Sequence, residues 1–368
     1  MRRASTLVRL ITPLVALVAT ALGSSGCSGA PAILDCRDDR GIHPICGFHN
    51  PEDLSLLEDG HRLVVSQLAS MTDPTAAGSL VVLDLEDEQI QLAYPLPTSD
   101  ATASPAAGWG DPQCPGPPSP FNPHGIDMAR RGDGRLQLLA VNHGERESIE
   151  FFEVLPEQNN VLIIWRGCAI PPAGAFFNDV VNLPGGGLLA THMMERDGMA
   201  WAMLRAFFGA DTGFVYEWQQ ARGYAPVVGT EGPFPNGIEI SADGAEIFLN
   251  VYMAGEVRRI SRATGEVLAV AEVESPDNLS WAKDGRLLVA SHLGGLSEQL
   301  PCMDLKSGAC PMSFEIRALD PVSLKGGAIF ANRGAPMGGG TVAIDVGGEL
   351  VIGSFAGDRV IRAPISQH

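Results

Sequence analysis

Positive charge is scarce in this chain: 25 lysines and arginines stand against 43 aspartates and glutamates, a formal charge of −18. A surface that acidic repels phosphate backbones and anionic lipid, which argues against nucleic acid or an anionic membrane as partner. Long helical stretches are few. The conspicuous apolar run, residues 10–22, has 13 residues, short of the ~20 that a membrane-spanning helix needs. Cysteine is absent after Cys310, so no disulfide reaches the last 58 residues. What the chain has in quantity is turn formers, 43 glycines and 27 prolines, with a hydrophobic fraction of 45%, ample for a core. That balance fits one large closed all-β unit with many short strands.

The N-terminus reads as an export signal. Met1-Arg2-Arg3 supplies a positive start, residues 10–22 the apolar centre, and Gly23-Ser24-Ser25-Gly26 a small-residue cleavage zone before Cys27. The Gly26-Cys27 junction resembles a bacterial lipoprotein site, with Ser24 standing where leucine is usual; ordinary secretory cleavage is the alternative. The expected layout is a signal peptide over 1–26, a lipidated tether over 27–35 beginning at Cys27, and a single domain over 36–368. Loss of Arg2, Arg3 and Arg9 with the signal takes the charge from −18 to −21. The expected place is the bacterial cell envelope, or else the periplasm or exterior, with the membrane touched only through the lipid.

Six cysteines remain in the mature segment: Cys36, Cys46, Cys114, Cys168, Cys302 and Cys310. An even number in an exported chain argues for disulfides, although six cysteines admit about 15 pairings. Cys114 lies ten residues before His124 and Cys168 ten before Asn178. That matched offset favours Cys114–Cys168, with Cys36–Cys46 and Cys302–Cys310 as local pairs; some could instead be buried small apolar residues.

The strongest pattern is a phrase repeated six times: a polar residue, an alternating apolar strand, an Asp-Gly or Gly-rich turn, and a second apolar strand. Its leading residues are Glu52, His124, Asn178, Asn236 and the pair Asp277/Asn278, with a degraded copy near Gly327; the spacings are 72, 54, 58, 42 and 49 residues. Period-two alternation flanking Asp-Gly marks β-hairpins. Recurrence at ~50 residues points to an all-β, six-bladed β-propeller with four-stranded blades around a central metal-binding channel.

In such a ring the leading residues meet at the axis. An Asn or Asp beside a strand start is ordinarily a turn former; in register across four of the five good copies, Glu52, Asn178, Asn236, Asp277 and Asn278 read as one set of hard oxygen ligands, suited to calcium rather than zinc. His124 holds the axis position of its own blade and His143 ends the next strand, a pairing suited to proton abstraction and relay, or else a satisfied core histidine. His192 and His292 end second strands of other blades and, with Phe234, are expected at the channel mouth. Segment 193–222, rich in methionine and aromatics, reads as a short amphipathic helix over that mouth, as a lid, an acyl-chain wall, or plain packing. Segment 95–120 reads as a long loop.

The strings Phe121-Asn122-Pro123-His124-Gly125-Ile126, Leu139-Ala140-Val141-Asn142-His143, Asn178-Asp179-Val180-Val181, Asn236-Gly237-Ile238-Glu239 and Asp277-Asn278-Leu279-Ser280, in this order, resemble the paraoxonase (arylesterase/lactonase) family within the senescence-marker-protein/gluconolactonase group. The resemblance runs from about residue 45 to 300. It implies a six-bladed propeller with two calcium ions: one held by Glu52, Asn178, Asn236, Asp277 and Asn278, and a deeper structural ion held by Asp53, Asp179 and the backbone carbonyl of Ile126. It implies His124 and His143 as the catalytic dyad of an enzyme that hydrolyses lactones or aryl esters as small-molecule substrates. The family closes its ring with a disulfide between the terminal strands, which this chain cannot form; strand pairing or a different bridge must serve. Two alternatives stand beside this reading: a gluconolactonase-type sugar lactonase, which generally lacks the histidine pair, and a non-catalytic propeller that calcium stabilises for binding a partner.

Overall fold

The computed structural model describes residues 32–365 apart from 72, 97–103, 159 and 304. The expected signal peptide over 1–26 and the expected lipidation site, Cys27, lie outside the described residues. The strands form six four-stranded antiparallel sheets. Their inner strands are Pro51–Leu56, Pro123–Arg130, Phe177–Asn182, Pro235–Ile240, Pro276–Trp281 and Gly340–Val346. Each packs on the next, and the sixth on the first, so the sheets close into the six-bladed propeller expected.

The repeated phrase produces this locally. In four inner hairpins the turn is Asp-Gly, with the aspartate Oδ1 accepting the backbone N–H two residues on: Asp59 from His61, Asp133 from Arg135, Asp243 from Ala245 and Asp284 from Arg286, at 3.0–3.1 Å. The glycine that follows supplies the left-handed conformation, as at Gly285 (φ 83°). Apolar alternation then fills the gaps between blades, where Leu63, Val65, Val81 and Leu83 of blade 1 pack with Val342, Val351 and Val360 of blade 6.

Every inner strand also carries a register irregularity immediately after its first residue: Pro51/Asp53, Pro123/Ile126, Phe177/Val180, Pro235/Ile238, Pro276/Leu279 and Gly340/Ala343. A bulge releases residues from the ladder and re-aims them. The released residues are ones singled out from sequence: Glu52, with Asp53 rejoining the ladder opposite Ser66, His124 with Gly125, Asn178 with Asp179, Asn236 with Gly237, and Asp277 with Asn278.

The sixth copy is a correction. Gly327 belongs to Gly326–Asn332, the outermost strand of blade 5, paired with Phe314–Leu319. Blade 6 begins instead at Gly340–Val346, and Thr341 occupies its axis position. The true strand opens on Gly340-Thr341, without the proline, amide or acid that marks the other copies, whereas Gly326-Gly327-Ala328-Ile329-Phe330 mimics their apolar phrase. Its second strand is Glu349–Ser354.

Strand pairing closes the ring. His43–Cys46 pairs antiparallel with Arg359–Pro364 and becomes the outermost strand of blade 6. The fully buried Arg359 donates to the carbonyls of Ile33 (3.0 Å) and Asp35 (2.6 Å), so the end of the segment read as a tether lies against this blade. Disulfides join Cys36–Cys46, Cys114–Cys168 and Cys302–Cys310. Among the described residues two helices interrupt the strands, α1 (Met199–Phe207), within the segment expected to hold one, and α2 (Gly295–Met303). No described helix is long and apolar enough to cross a membrane.

Candidate metal and histidine site

The released axis residues are buried. Asn278 donates through Nδ2 to Glu52 Oε1 at 2.9 Å, and Asn236 hydrogen-bonds Asp277. These contacts leave Glu52 Oε2, Asn178 Oδ1 and Asn236 Oδ1 buried with no hydrogen-bond partner. Buried oxygens are normally satisfied, and leaving one bare costs about 1–3 kcal/mol. Three at one place, all hard donors, fit a cation that prefers carboxylate and amide oxygen.

The electrostatics agree. Burial, then the neighbouring charges of Asp53 and Asp277, pushes the Glu52 carboxyl well above its ordinary range. Burial likewise raises Asp277 to about 7 and Asp53 to about 7. Asp179 is raised well above its usual value by burial and by Asp53. Among the described residues no lysine or arginine forms an ion pair with these acids, which leaves a charge that a divalent cation would compensate.

Asp53 and Asp179 sit one residue deeper along the channel. Asp53 Oδ2 accepts the N–H of Ile126 at 2.7 Å, and Asp179 Oδ2 accepts the N–H of Ile238 at 2.9 Å. Asp53, Ile126 and Asp179, the three expected around a second ion, thus line one cavity of about 320 Å³ with Asp127 and Glu239. Glycine at 125 is required here: a Cβ on Gly125 would run into Asp179 Oδ1 and its backbone. At this level the bulges alternate large and absent side chains, Asp53, Gly125, Asp179, Gly237.

His124 lies beside the acids, its Nε2 3.7 Å from Glu52 Oε1. Its Nδ1 is 3.0 Å from His143 Nε2. Burial, then the neighbouring His143, holds His124 well below the ordinary histidine value, so its imidazole is neutral at pH 7 and can accept a proton. On the far side, His143 Nδ1 lies 3.0 Å from Glu147 Oε2. Glu147 was not singled out from sequence, because it sits outside the repeat in the turn after strand Leu136–Asn142.

The two other histidines are placed differently. His292 Nε2 is 3.5 Å from Asp277 Oδ2, and its Nδ1 is 3.0 Å from the Tyr252 hydroxyl, so it borders the axis site. His192 Nδ1 accepts the N–H of Phe176 at 3.2 Å and its ring packs on Phe214 and Tyr216, which ties it into blade 3. Burial depresses both to about 4. Phe234 packs against Phe176, Met193 and Met194, as do Met199 and Met203 of α1. This apolar wall stands next to the axis, since Phe176 is 4.7 Å from the His143 ring. Elsewhere on α1 Trp201, Leu204 and Phe207 are exposed, as is Phe208 just after it.

Hard oxygen donors beside a hydrogen-bonded histidine pair, under an apolar wall, are equipped to bind a carbonyl and move a proton next to it. Comparison with known proteins places the chain. Residues 49–360 match the Arylesterase family model, and the chain belongs to that family. It is 24% identical to human serum paraoxonase/arylesterase 1 over 321 residues, 82% of each protein. Among solved structures, a calcium-binding protein, regucalcin, from Agrobacterium tumefaciens superposes with a TM-score of 0.50 at 13% identity, covering 87% of this chain and 91% of that one. A luciferin-regenerating enzyme superposes with a TM-score of 0.52 at 12% identity, covering 88% and 94%. These structural likenesses establish the fold; the family match and the paraoxonase relative make the chain a hydrolase of the esterase/lactonase type.

Proposed function

We propose that this protein is a calcium-dependent hydrolase of lactones and aryl esters acting outside the cytoplasm. The observation that carries the reading is the set of partnerless oxygens, Glu52 Oε2, Asn178 Oδ1 and Asn236 Oδ1, next to the His124–His143 pair. Glu52, Asn178, Asn236, Asp277 and Asn278 would hold the ion at the reacting carbonyl, and Asp53, Asp179 and the Ile126 carbonyl a second, structural one. Bound there, calcium supplies polarisation of the carbonyl and stabilisation of the oxyanion.

His124 removes a proton from a water as its oxygen bonds to the carbonyl carbon. The ester or lactone C–O bond then breaks, and the proton held by His124 passes to the departing oxygen. His143, hydrogen-bonded to His124, steadies the imidazolium formed between these two steps. Phe176, Phe234, Met199 and Met203 offer contact to an acyl chain, which favours apolar lactones and esters over sugar lactones. Export is supported by three disulfides and by the serum relative. The reading includes the signal over 1–26 and lipidation at Cys27.

The test is a hydrolysis screen of the purified mature protein against acyl-homoserine lactones, aliphatic lactones, gluconolactone and phenyl acetate, with calcium and with chelator. Turnover that requires calcium and disappears in His124→Gln, with calcium-dependent melting retained, is expected. Turnover indifferent to chelation and to that substitution sinks the mechanism.

A further inference from the structure

The histidine pair ends on a carboxylate. Glu147 is almost fully buried, its side chain 8% exposed, and its Oε2 lies 3.0 Å from His143 Nδ1. Its other oxygen, Oε1, accepts the backbone N–H of Phe177 at 2.7 Å. Arg196, from the loop leading into α1, places its guanidinium 3.3 Å from Glu147 Oε2 and donates to the His143 carbonyl at 3.3 Å. The same guanidinium lies over the Phe176 ring, 5.5 Å from its centroid. Glu147 is therefore fixed from three directions, by blade 3 through Phe177, by Arg196, and by the histidine itself.

That placement decides which imidazole nitrogens carry hydrogen. A carboxylate only accepts, so the His143 nitrogen facing it, Nδ1, is the protonated one. Neutral His143 then has a bare Nε2, which faces His124 Nδ1 at 3.0 Å. His124 must in turn donate from Nδ1, leaving its own Nε2 bare on the side where Glu52 lies 3.7 Å away. A proton gained at Nε2 puts positive charge on His124, which His143 shares through the hydrogen bond and Glu147 stabilises from behind.

We propose that Glu147 is a positioning residue that completes a Glu147–His143–His124 relay, fixing both tautomers so that His124 presents its basic Nε2 to the attacking water. The inference rests on the hydrolase reading above and adds to it a third member and the tautomer of each histidine. Arg196 couples the relay to the segment that opens α1.

The experiment uses the calcium-loaded mature protein with 15N-labelled histidine, and phenyl acetate and δ-valerolactone as substrates. Expected in the native protein are signals for protonated Nδ1 and bare Nε2 on both His124 and His143. Glu147→Gln is expected to lose that uniform pattern and to lower kcat by up to about 10⁴-fold, the scale seen when a histidine's carboxylate partner becomes an amide. KM, calcium affinity and melting temperature should stay near native. A protonated Nε2 on His143 in the native protein overturns the proposal whatever the variant does. So does a Glu147→Gln protein with unchanged kcat and tautomers, or one whose kcat falls only in step with calcium binding and melting. His124→Gln separates the two levels: if it stays active, the hydrolase mechanism itself fails, whereas an inactive His124→Gln beside a fully active Glu147→Gln removes only the relay.

Discussion

Asn278 Nδ2 donates to Glu52 Oε1 across 2.9 Å, joining blade 5 to blade 1 at the axis. The bond occupies one carboxylate oxygen and leaves the other, Oε2, without a partner. Glu52→Gln keeps the size and removes the charge. It should weaken calcium binding at least about tenfold, a difference of about 1.4 kcal/mol, and Asn178→Ala should do so to a smaller degree because it removes a neutral donor. Calorimetric titration of the chelated protein measures both. Native affinity in Glu52→Gln would place the ion elsewhere.

The acids of the channel also set a pH dependence. Burial raises Asp53 and Asp277 to about 7 from 3.8. Between those values the folded, metal-free protein holds protons that the unfolded chain has released. The stability these groups contribute is fully present below 3.8 and is lost as pH rises to about 7. Calcium takes the deprotonated form, so its stabilising effect runs the opposite way. The rise in melting temperature on adding calcium should be greatest above pH 7 and shrink toward pH 5. His192, lowered from 6.5 to about 4 by burial, makes a separate contribution that erodes as pH falls from 6.5 to 4, with and without the ion. Melting curves at pH 8 and 5.5, each with calcium and with chelator, separate the two. A calcium-induced rise that does not change with pH removes Asp53 and Asp277 from the binding reaction.

How much of this could be read in advance follows from the bulges. Glu52, His124, Asn178, Asn236 and Asp277 stand at the same step of five phrases, and a position shared by repeats becomes a shared place once the ring closes. Thr341 escaped because the signal lay in residue type, and a threonine after glycine carries none; its role, donating from Oγ1 to the Glu52 carbonyl at 2.5 Å, is backbone support. Glu147 and Arg196 escaped for a different reason. They come from a turn and a loop outside the period, and only tertiary packing brings residues 49 positions apart onto His143. The closing strand His43–Cys46 could be inferred only by exclusion, from the missing cysteine near the C-terminus.

Cys114–Cys168 encloses 54 residues, whereas Cys302–Cys310 encloses 8. Chain-entropy reasoning assigns roughly 4 kcal/mol to the longer loop and roughly 2.5 kcal/mol to the shorter. Replacing both cysteines of each pair with alanine should therefore lower the denaturation midpoint more for Cys114/Cys168 than for Cys302/Cys310. Urea titrations at fixed calcium test the order, and the reverse order would mean that Cys302–Cys310 carries native-state contacts worth more than its loop.

Phe234 precedes the axis strand and adopts φ 63°, a conformation that residues with a Cβ seldom take. That backbone aims its ring at Tyr252, 5.7 Å away, while it also packs, as Met199 and Met203 of α1 do, against Phe176, Met193 and Met194. The wall it forms is next to the histidine pair yet supplies no group for proton transfer. Its contribution should therefore depend on the length of the acyl chain. Each methylene buried is worth about 0.8 kcal/mol, so losing contact with two of them costs about tenfold in kcat/KM. Phe234→Ala should lower kcat/KM for a ten-carbon lactone by about that factor and leave phenyl acetate nearly unchanged. Equal losses for both substrates would show that Phe234 supports the axis residues Asn236 and Asp277 instead of touching the chain, and calcium affinity measured on the same variant would then fall as well.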